Sequence, residues 1–384
     1  MKITDIKVYP VVAQIGGALS SMNIGWVFLV VETDEGISGI GECSNWPRQG
    51  NILVARAVET VKDAVIGRDP NDIEAIWQEL YRNYTYLGSR GLITTVISGI
   101  DIALWDLKGK VLGRPVYDLL GGPVRPDIPL YTHPDYGSPE EIATSSRQLV
   151  AEGYTALKTD PFREEMGPYH TARMSGVISR RGEHRGAEVV AAIREAVGPE
   201  VEILIDAHGH YDVASAIRCA RALEPYDITW FEEPVPPESL DALKQVREAV
   251  NVSLCVGERL FTRWDFAPIL QNHLADYLMP DVCWTGGISE LKKIAAMAET
   301  YYVSMSPHGA MGPIQLLAGA QAMITVPNFY RLEAFSLWLP AFNAAIDPPL
   351  DIRQGTLYLS GRPGLGIALN MDFIAANPDP RWGG

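Results

Sequence analysis

Apolar and polar residues alternate from Ile3 to Val12, and a second run, Trp26 to Thr33, is rich in β-branched residues. The turn Asp34-Glu35-Gly36 leads into a third run, Ile37 to Cys43, so the pattern predicts a meander. The period then lengthens. Val54–Ile66 and Asp72–Tyr84 repeat apolar residues at helical spacing, with a break at Asp69-Pro70 between them. A further helix, about Thr94–Leu112, is apolar almost all round and should be buried. A small antiparallel sheet followed by helices is an α+β domain, expected over residues 1–125.

From about Asp127 the rhythm changes to strand, helix, strand, helix. Candidate strands are Ile128–Thr132, Ala156–Thr159, Val201–Ile205, Ile228–Phe231, Ser253–Val256, Tyr277–Met279, Val303–Ser306 and Phe329–Leu332. Helical patterns fill the gaps, among them Val213–Leu223, Leu240–Ala249, Ile288–Glu299 and Ile314–Ile324. Strands joined by helical crossovers predict a (β/α)8-type barrel over residues 126–347. The tail, 348–384, holds a strand-like Leu357–Ser360 and is expected to return to the first domain. Between Phe162 and Gly186 a long insertion carries Arg163, His170, Arg173, Arg180, Arg181 and Arg185. A loop of that length inside a barrel is functional or an interface, or else simply solvated.

Composition narrows the class. At 47% hydrophobic, 384 residues suffice for a large domain and a smaller one. A net charge of −15 argues against nucleic-acid or membrane-surface partners, which call for basic patches. No stretch reads as a membrane span or a signal peptide, and Cys43, Cys219, Cys255 and Cys283 lack metal-site spacing. A soluble cytoplasmic protein with buried thiols is expected.

The chemistry sits where strands stop. Ile203-Leu-Ile-Asp206 is an apolar run ending in an acid, and strand alternation would point Asp206 and His208 the same way. Glu232 and Glu258 end two further apolar runs, the three acids being 26 residues apart, about one strand-plus-helix unit. Lys158, Asp160, Asp281, His308 and Glu333 also fall at strand ends, the end at which barrels of this kind carry their active sites. Asp206, Glu232 and Glu258 offer hard oxygens with an open side, a donor set suited to Mg²⁺ rather than zinc.

With these residues the chain resembles the enolase superfamily, and within it the mandelate racemase subgroup, over essentially its whole length. The marks are Asp206, Phe231-Glu232-Glu-Pro, Gly257-Glu258-Arg, Asp281 with Gly286-Gly287, and Ser306-Pro-His308. The first domain adds Ser98-Gly-Ile-Asp101-Ile-Ala-Leu-Trp105-Asp-Leu-Lys108-Gly-Lys and Leu119-Leu-Gly-Gly122. The resemblance implies a modified TIM barrel, (β/α)7β, under an α+β capping domain that the C-terminal tail completes. It also implies removal of the proton α to a carboxylate, with Mg²⁺ answering the charge that develops. On that basis His308 is the base, Asp281 orients it, and Glu333 bonds the distal carboxylate oxygen.

The second barrel strand departs from the racemase pattern. Lys158-Thr-Asp160-Pro-Phe stands where racemases carry K-x-K, so the usual second base is missing. Lys158 is then a candidate to neutralise the substrate carboxylate, with a Lys158–Asp160 ion pair as the plain alternative. His208 beside a metal ligand suits protonation of a leaving β-hydroxyl, unless it only supports the metal site. D-x-H with K-x-D-P-F upstream is similar to galactonate dehydratases and related acid-sugar dehydratases. The expected activity is an Mg²⁺-dependent hydro-lyase converting a sugar acid to its 2-keto-3-deoxy product. An epimerase, racemase or cycloisomerase of the same subgroup is the alternative, and a non-catalytic relative would have lost a ligand or the base. Trp26, Trp46, Arg48 and Asp160 are candidate substrate contacts. The loops Gly16–Gly25 and Asn45–Asn51, in company with the Arg163–Arg185 loop, are candidates to close over the substrate. A homo-oligomer, dimer to octamer, is the expected assembly.

Overall fold

The structure is a computed structural model that describes residues 1–14, 23–163 and 174–383. Most of Gly16–Gly25 and the first part of the Arg163–Arg185 loop therefore lie outside the described residues. Strands β1 (Ile3–Gln14), β2 (Asn23–Thr33) and β3 (Ser38–Glu42) form the expected antiparallel meander in the order β1-β2-β3. Both faces of this sheet are buried, and alternation along β2 divides them. Val27, Leu29 and Val31 pack into the cluster under helices α1 (Asn51–Val61), α2 (Ile73–Asn83) and α3 (Leu92–Leu112). Trp26 and Phe28 point the other way, into the core that runs on through the barrel. Gly39 and Gly41 let α3 lie directly on β3: a Cβ at either would collide with the carbonyl oxygens of Ala103 or Gly99.

Eight parallel strands follow: β4 (Ile128–Tyr131), β5 (Ala156–Thr159), β6 (Glu202–Asp206), β7 (Trp230–Glu232), β8 (Leu254–Val256), β9 (Tyr277–Leu278), β10 (Ser304–Met305) and β11 (Leu332–Glu333). Neighbours pair in sequence from β5 to β10. Bridges Thr132↔Leu157 and Met305↔Phe329, with β11 pairing β4, close the ring. Among the described residues seven crossover helices connect them, in keeping with (β/α)7β. Alternation again sorts the side chains. Ala156, Leu204, Trp230, Cys255, Met279 and Tyr131 fill the barrel interior, while Ile203, Ile205, Phe231 and Leu254 face the helices. Two residues beyond Ala156, Leu204 and Trp230, on the same inward face, stand Lys158, Asp206 and Glu232.

The tail departs from the simple return that was expected. After β12 (Ile346–Asp347), β13 (Asp351–Arg353) and β14 (Thr356–Tyr358) form a hairpin, and β14 pairs antiparallel with barrel strand β4 rather than with the capping domain. Gly364 first meets the capping domain in a bridge to Pro115, strand β15 (Ala368–Leu369) then pairs β12, and the chain reaches β1 through the Val11↔Pro378 bridge. The edge of β1 is thereby covered over Pro10–Val12. Among the described residues no helix is long and apolar enough to cross a membrane.

Candidate active site

Asp206 and Glu232 are the last residues of β6 and β7 and are register partners across the sheet. Glu258 follows β8. All three are buried, and one oxygen of each lies within 4.8 Å of the others. Lys158 reaches into this cluster from β5. Its Nζ is 2.8 Å from Glu232 Oε1, 2.9 Å from Glu333 Oε1 and 3.2 Å from Asp206 Oδ2. Burial works against the ammonium, but Glu232, Glu333 and Asp206 outweigh it and hold Lys158 well above its ordinary pKa. Among the described residues Lys158 pairs with these three carboxylates and not with Asp160. Burial and then the neighbouring Asp206 push the pKa of Glu232 well above the carboxylate range, while Lys158 pulls it down. Buried carboxylates whose charge exceeds that of the cation among them are a donor set that a divalent ion fits.

His308, just past β10, places Nδ1 2.6 Å from Asp281 Oδ2. Asp281 is fully buried; its Oδ1 accepts from the Cys283 N–H at 2.7 Å and its Oδ2 from the Gln315 side-chain amide. Two other donors on Asp281 leave it as acceptor toward the imidazole. In its neutral form His308 therefore carries its hydrogen on Nδ1, which leaves Nε2 as the nitrogen that takes up or gives a proton. Nε2 faces Glu258 Oε2 at 3.5 Å and Glu333 Oε2 at 3.9 Å. Burial lowers the basicity of His308, yet Glu333, Asp281 and Glu258 together raise its pKa to about 9. Part of that negative charge is what a bound cation would neutralise.

His208 comes to the cluster by a route other than strand alternation. Strand β6 ends at Asp206, and His208 has a left-handed backbone, φ 50°. A turn in which its N–H donates to Asp206 Oδ1 at 2.8 Å folds it back. Arg259 braces that turn, donating to His208 O at 2.6 Å and meeting Glu258 and Glu233 at 3.0 and 2.9 Å. His208 Nδ1 lies 3.2 Å from Asp160 Oδ2 and 3.4 Å from Asp206 Oδ1. Burial opposes its charge, but Asp206, Asp160 and Glu258 prevail and raise its pKa to about 10.

The expected substrate contacts divide. Asp160 is buried beside His208, and its Oδ1 accepts from Phe162 N–H at 3.2 Å. Trp26 belongs to the core: it is 1% exposed, packs on Phe28 and Phe342, and donates its Nε1–H to Met311 O at 3.0 Å. The even face of β2 is turned to the barrel, so Trp26 supports the loop after His308 instead of lining a cleft. Trp46 is exposed and precedes Pro47. Arg48 lies against Gly25, and its charge favours the ionised form of Asp379.

Sequence reasoning passed over His133, Glu42 and Gln315, and quoted Arg259 only as part of the Gly257-Glu258-Arg run without a role. His133 follows β4, its Nε2 2.7 Å from Glu333 Oε1 and its ring stacked 3.8 Å from Phe335. The strand-end rule that found the other residues would have found it too. Glu42 also ends a strand, but one of the capping sheet, and Gln315 lies on a helix, so a rule for barrel strands reaches neither.

Comparison with known proteins agrees with this geometry. Residues 6–121 match the N-terminal domain of the mandelate racemase/muconate lactonizing enzyme family, and residues 141–373 match the enolase C-terminal domain-like family. A D-galactonate dehydratase of Pectobacterium atrosepticum is 35% identical over 381 residues, covering 97% of this chain and 94% of that protein. A D-galactarolactone cycloisomerase of Agrobacterium fabrum is 32% identical over 400 residues, covering 99% and 100%. The crystal structure of a mandelate racemase/muconate lactonizing enzyme-like protein from Rubrobacter xylanophilus superposes with a TM-score of 0.90 at 34% identity, covering 99% of this chain and 98% of that one. The chain belongs to the enolase superfamily, in its mandelate racemase subgroup.

Proposed function

We propose that this protein is an Mg²⁺-dependent hydro-lyase that dehydrates an aldonate-type sugar acid to the 2-keto-3-deoxy acid. The observation that carries the reading is the pair of imidazoles at the acid cluster, His308 beside Glu258 and His208 beside Asp206. Each is backed by a carboxylate of its own, Asp281 and Asp160. Asp206, Glu232 and Glu258 would hold the cation, which when bound supplies positive charge for the substrate carboxylate. His308 Nε2 takes the α-proton, and the imidazolium that results is stabilised by Asp281. His208, charged in this surrounding, gives its proton to the departing β-hydroxyl. Lys158 and Glu333 face the substrate carboxylate. Four buried cysteines without disulfides support a cytoplasmic setting.

A second reading, lactone isomerisation, is favoured by the full-length similarity to a cycloisomerase. The deciding experiment is a screen of mono- and diacid sugars and their lactones, scored for 2-keto-3-deoxy products with Mg²⁺ and with excess EDTA. Dehydration that needs Mg²⁺ is the expected result. Lactone turnover without any dehydration would favour the second reading, and full dehydration in EDTA would remove the metal from the first.

A further inference from the structure

Much of what holds the Asp281–His308 pair comes from outside the barrel strands. Gln315, 2% exposed on the helix Pro313–Met323, donates from its side-chain amide to Asp281 Oδ2, the oxygen that also faces His308 Nδ1. Its amide oxygen accepts from the Met311 N–H at 2.6 Å, in the loop that carries His308. With the oxygen occupied by a backbone donor, only the NH₂ can face Asp281. The Gln315 backbone N–H in turn donates to Glu42 Oε2 at 3.0 Å, and Glu42 Oε1 accepts from Ser44 Oγ at 2.6 Å. Glu42 is the last residue of β3, in the capping domain. The helix opens at Gly312, which has no side chain to cap it, and a Cβ there would overlap the Glu42 carboxylate. Glu42 thus caps a barrel helix from another domain. The same end of β3 grips the loop after Asp281. Cys283 Sγ lies 3.2 Å from Glu42 O, and Trp284 Nε1 donates to Ser44 O at 2.8 Å.

We infer that Gln315, held in place by Glu42, is a positioning residue for His308, so that the docked capping domain helps to make the base competent. The inference rests on the reading of His308 as the base. Gln315 fixes Asp281 as an acceptor, and Asp281 fixes the ring with its Nε2 toward Glu258 and Glu333. Without the amide, Asp281 and His308 keep their contact but lose the partner that sets its direction. Proton abstraction suffers from small misplacement, whereas substrate binding rests on other residues.

The test is a double-mutant cycle on the magnesium-loaded protein, using the most active aldonate of the screen. Gln315→Met, Asp281→Asn and the double variant are compared for kcat, KM and exchange of the α-proton with deuterated solvent. Gln315→Met should lower kcat and exchange about ten- to a hundredfold with KM unchanged. In the Asp281→Asn background the same change should cost less than about twofold, because the link is already broken. Should Gln315→Met fail to fold, Gln315→Asn, whose shorter amide falls short of Asp281, carries the same expectation. Wild-type kcat in the single variant, or additive losses in the double, would overturn the inference. His308→Asn measured alongside separates the two layers: if it still exchanges the α-proton, the base reading falls and takes this inference with it. If it loses exchange while Gln315→Met stays at wild type, only the positioning role falls.

Discussion

Lys158 does at the residue scale what a barrel of this kind needs done before any cation arrives. Its ammonium stands between Asp206, Glu232 and Glu333, carboxylates that would otherwise repel one another in a buried space. Replacing it by Met removes charge and keeps length. In EDTA, Lys158→Met should lose about 3–5 kcal/mol of stability, the usual cost of orphaning buried charge, and saturating Mg²⁺ should restore more of it than it adds to the wild type. Thermal melts with and without Mg²⁺ read this directly, and an unchanged melt in EDTA would sink it. The histidines divide differently. His308→Asn should stop dehydration and α-proton exchange together, while His208→Asn should slow dehydration by about 10²–10⁴-fold and leave some exchange. Equal loss of exchange in both would mean that elimination is concerted or that His208 serves the acid cluster. Asp206, Glu232, Glu258 and His308 were legible in the sequence because a strand end is both a chemical address and a sequence pattern. Trp26 misled because an aromatic beside a Gly-rich loop reads as surface, when its position on the even face of β2 sends it inward.

At the scale of elements, the helices Val213–Leu223 and Leu240–Ala249 fall where the apolar period put them. Local periodicity cannot reveal which distant residue finishes a helix, and here that mattered. The helix Gly287–Thr300 begins at glycine and is capped from α3: Asp101 Oδ1 accepts from Ser289 N–H at 3.0 Å, and Ser98 Oγ from Gly286 N–H at 2.9 Å. Gly287, at φ 80°, leaves the room, since a Cβ there would strike Asp101. The tail hairpin was missed for a related reason, its partner β4 lying far away in sequence. Burial raises the pKa of Asp101 to about 7 against the pull of its bonds to Ser289. A raised folded-state value means that the native state holds the proton more tightly than the unfolded chain, whose Asp titrates near 4. The resulting stabilisation is complete below about pH 4 and is lost as pH rises through about 7. Asp101→Asn keeps the acceptor for Ser289 and removes the titration. Relative to the wild type, the variant should therefore gain stability between about pH 4 and pH 8, by at most about 4 kcal/mol. Denaturant unfolding across that range checks it, and a constant difference would exclude Asp101 as the titrating group.

For the whole molecule these cross-domain caps decide how it comes apart. Lifting the capping domain off the barrel would strip Glu42 and Asp101 of the backbone N–H groups they bond. It would also leave the indoles of Trp77, Trp105 and Trp284 without Gly286 O, Ser289 Oγ and Ser44 O. Each orphaned buried group costs about 1–3 kcal/mol, and water could repay that only by entering the core that Trp26 and Phe28 share with barrel residues such as Phe342. The tail fastens the other side, where Val12 N–H donates to Asn377 O at 3.0 Å, Asp379 N–H donates to Pro10 O at 2.9 Å, and Arg56 lies 4.3 Å over Trp382. Domains that share a core, one of them capping helices of the other, have no cheap undocked state, even though the chain reads as two blocks of different rhythm. The protein should therefore unfold in one calorimetric transition, with calorimetric and van't Hoff enthalpies in agreement. Two resolved transitions would show that the capping domain can leave a folded barrel behind. Ending the chain after Asn377 should lower the midpoint while keeping a single transition, because it removes one fastening and leaves the helix caps of Glu42 and Asp101 in place.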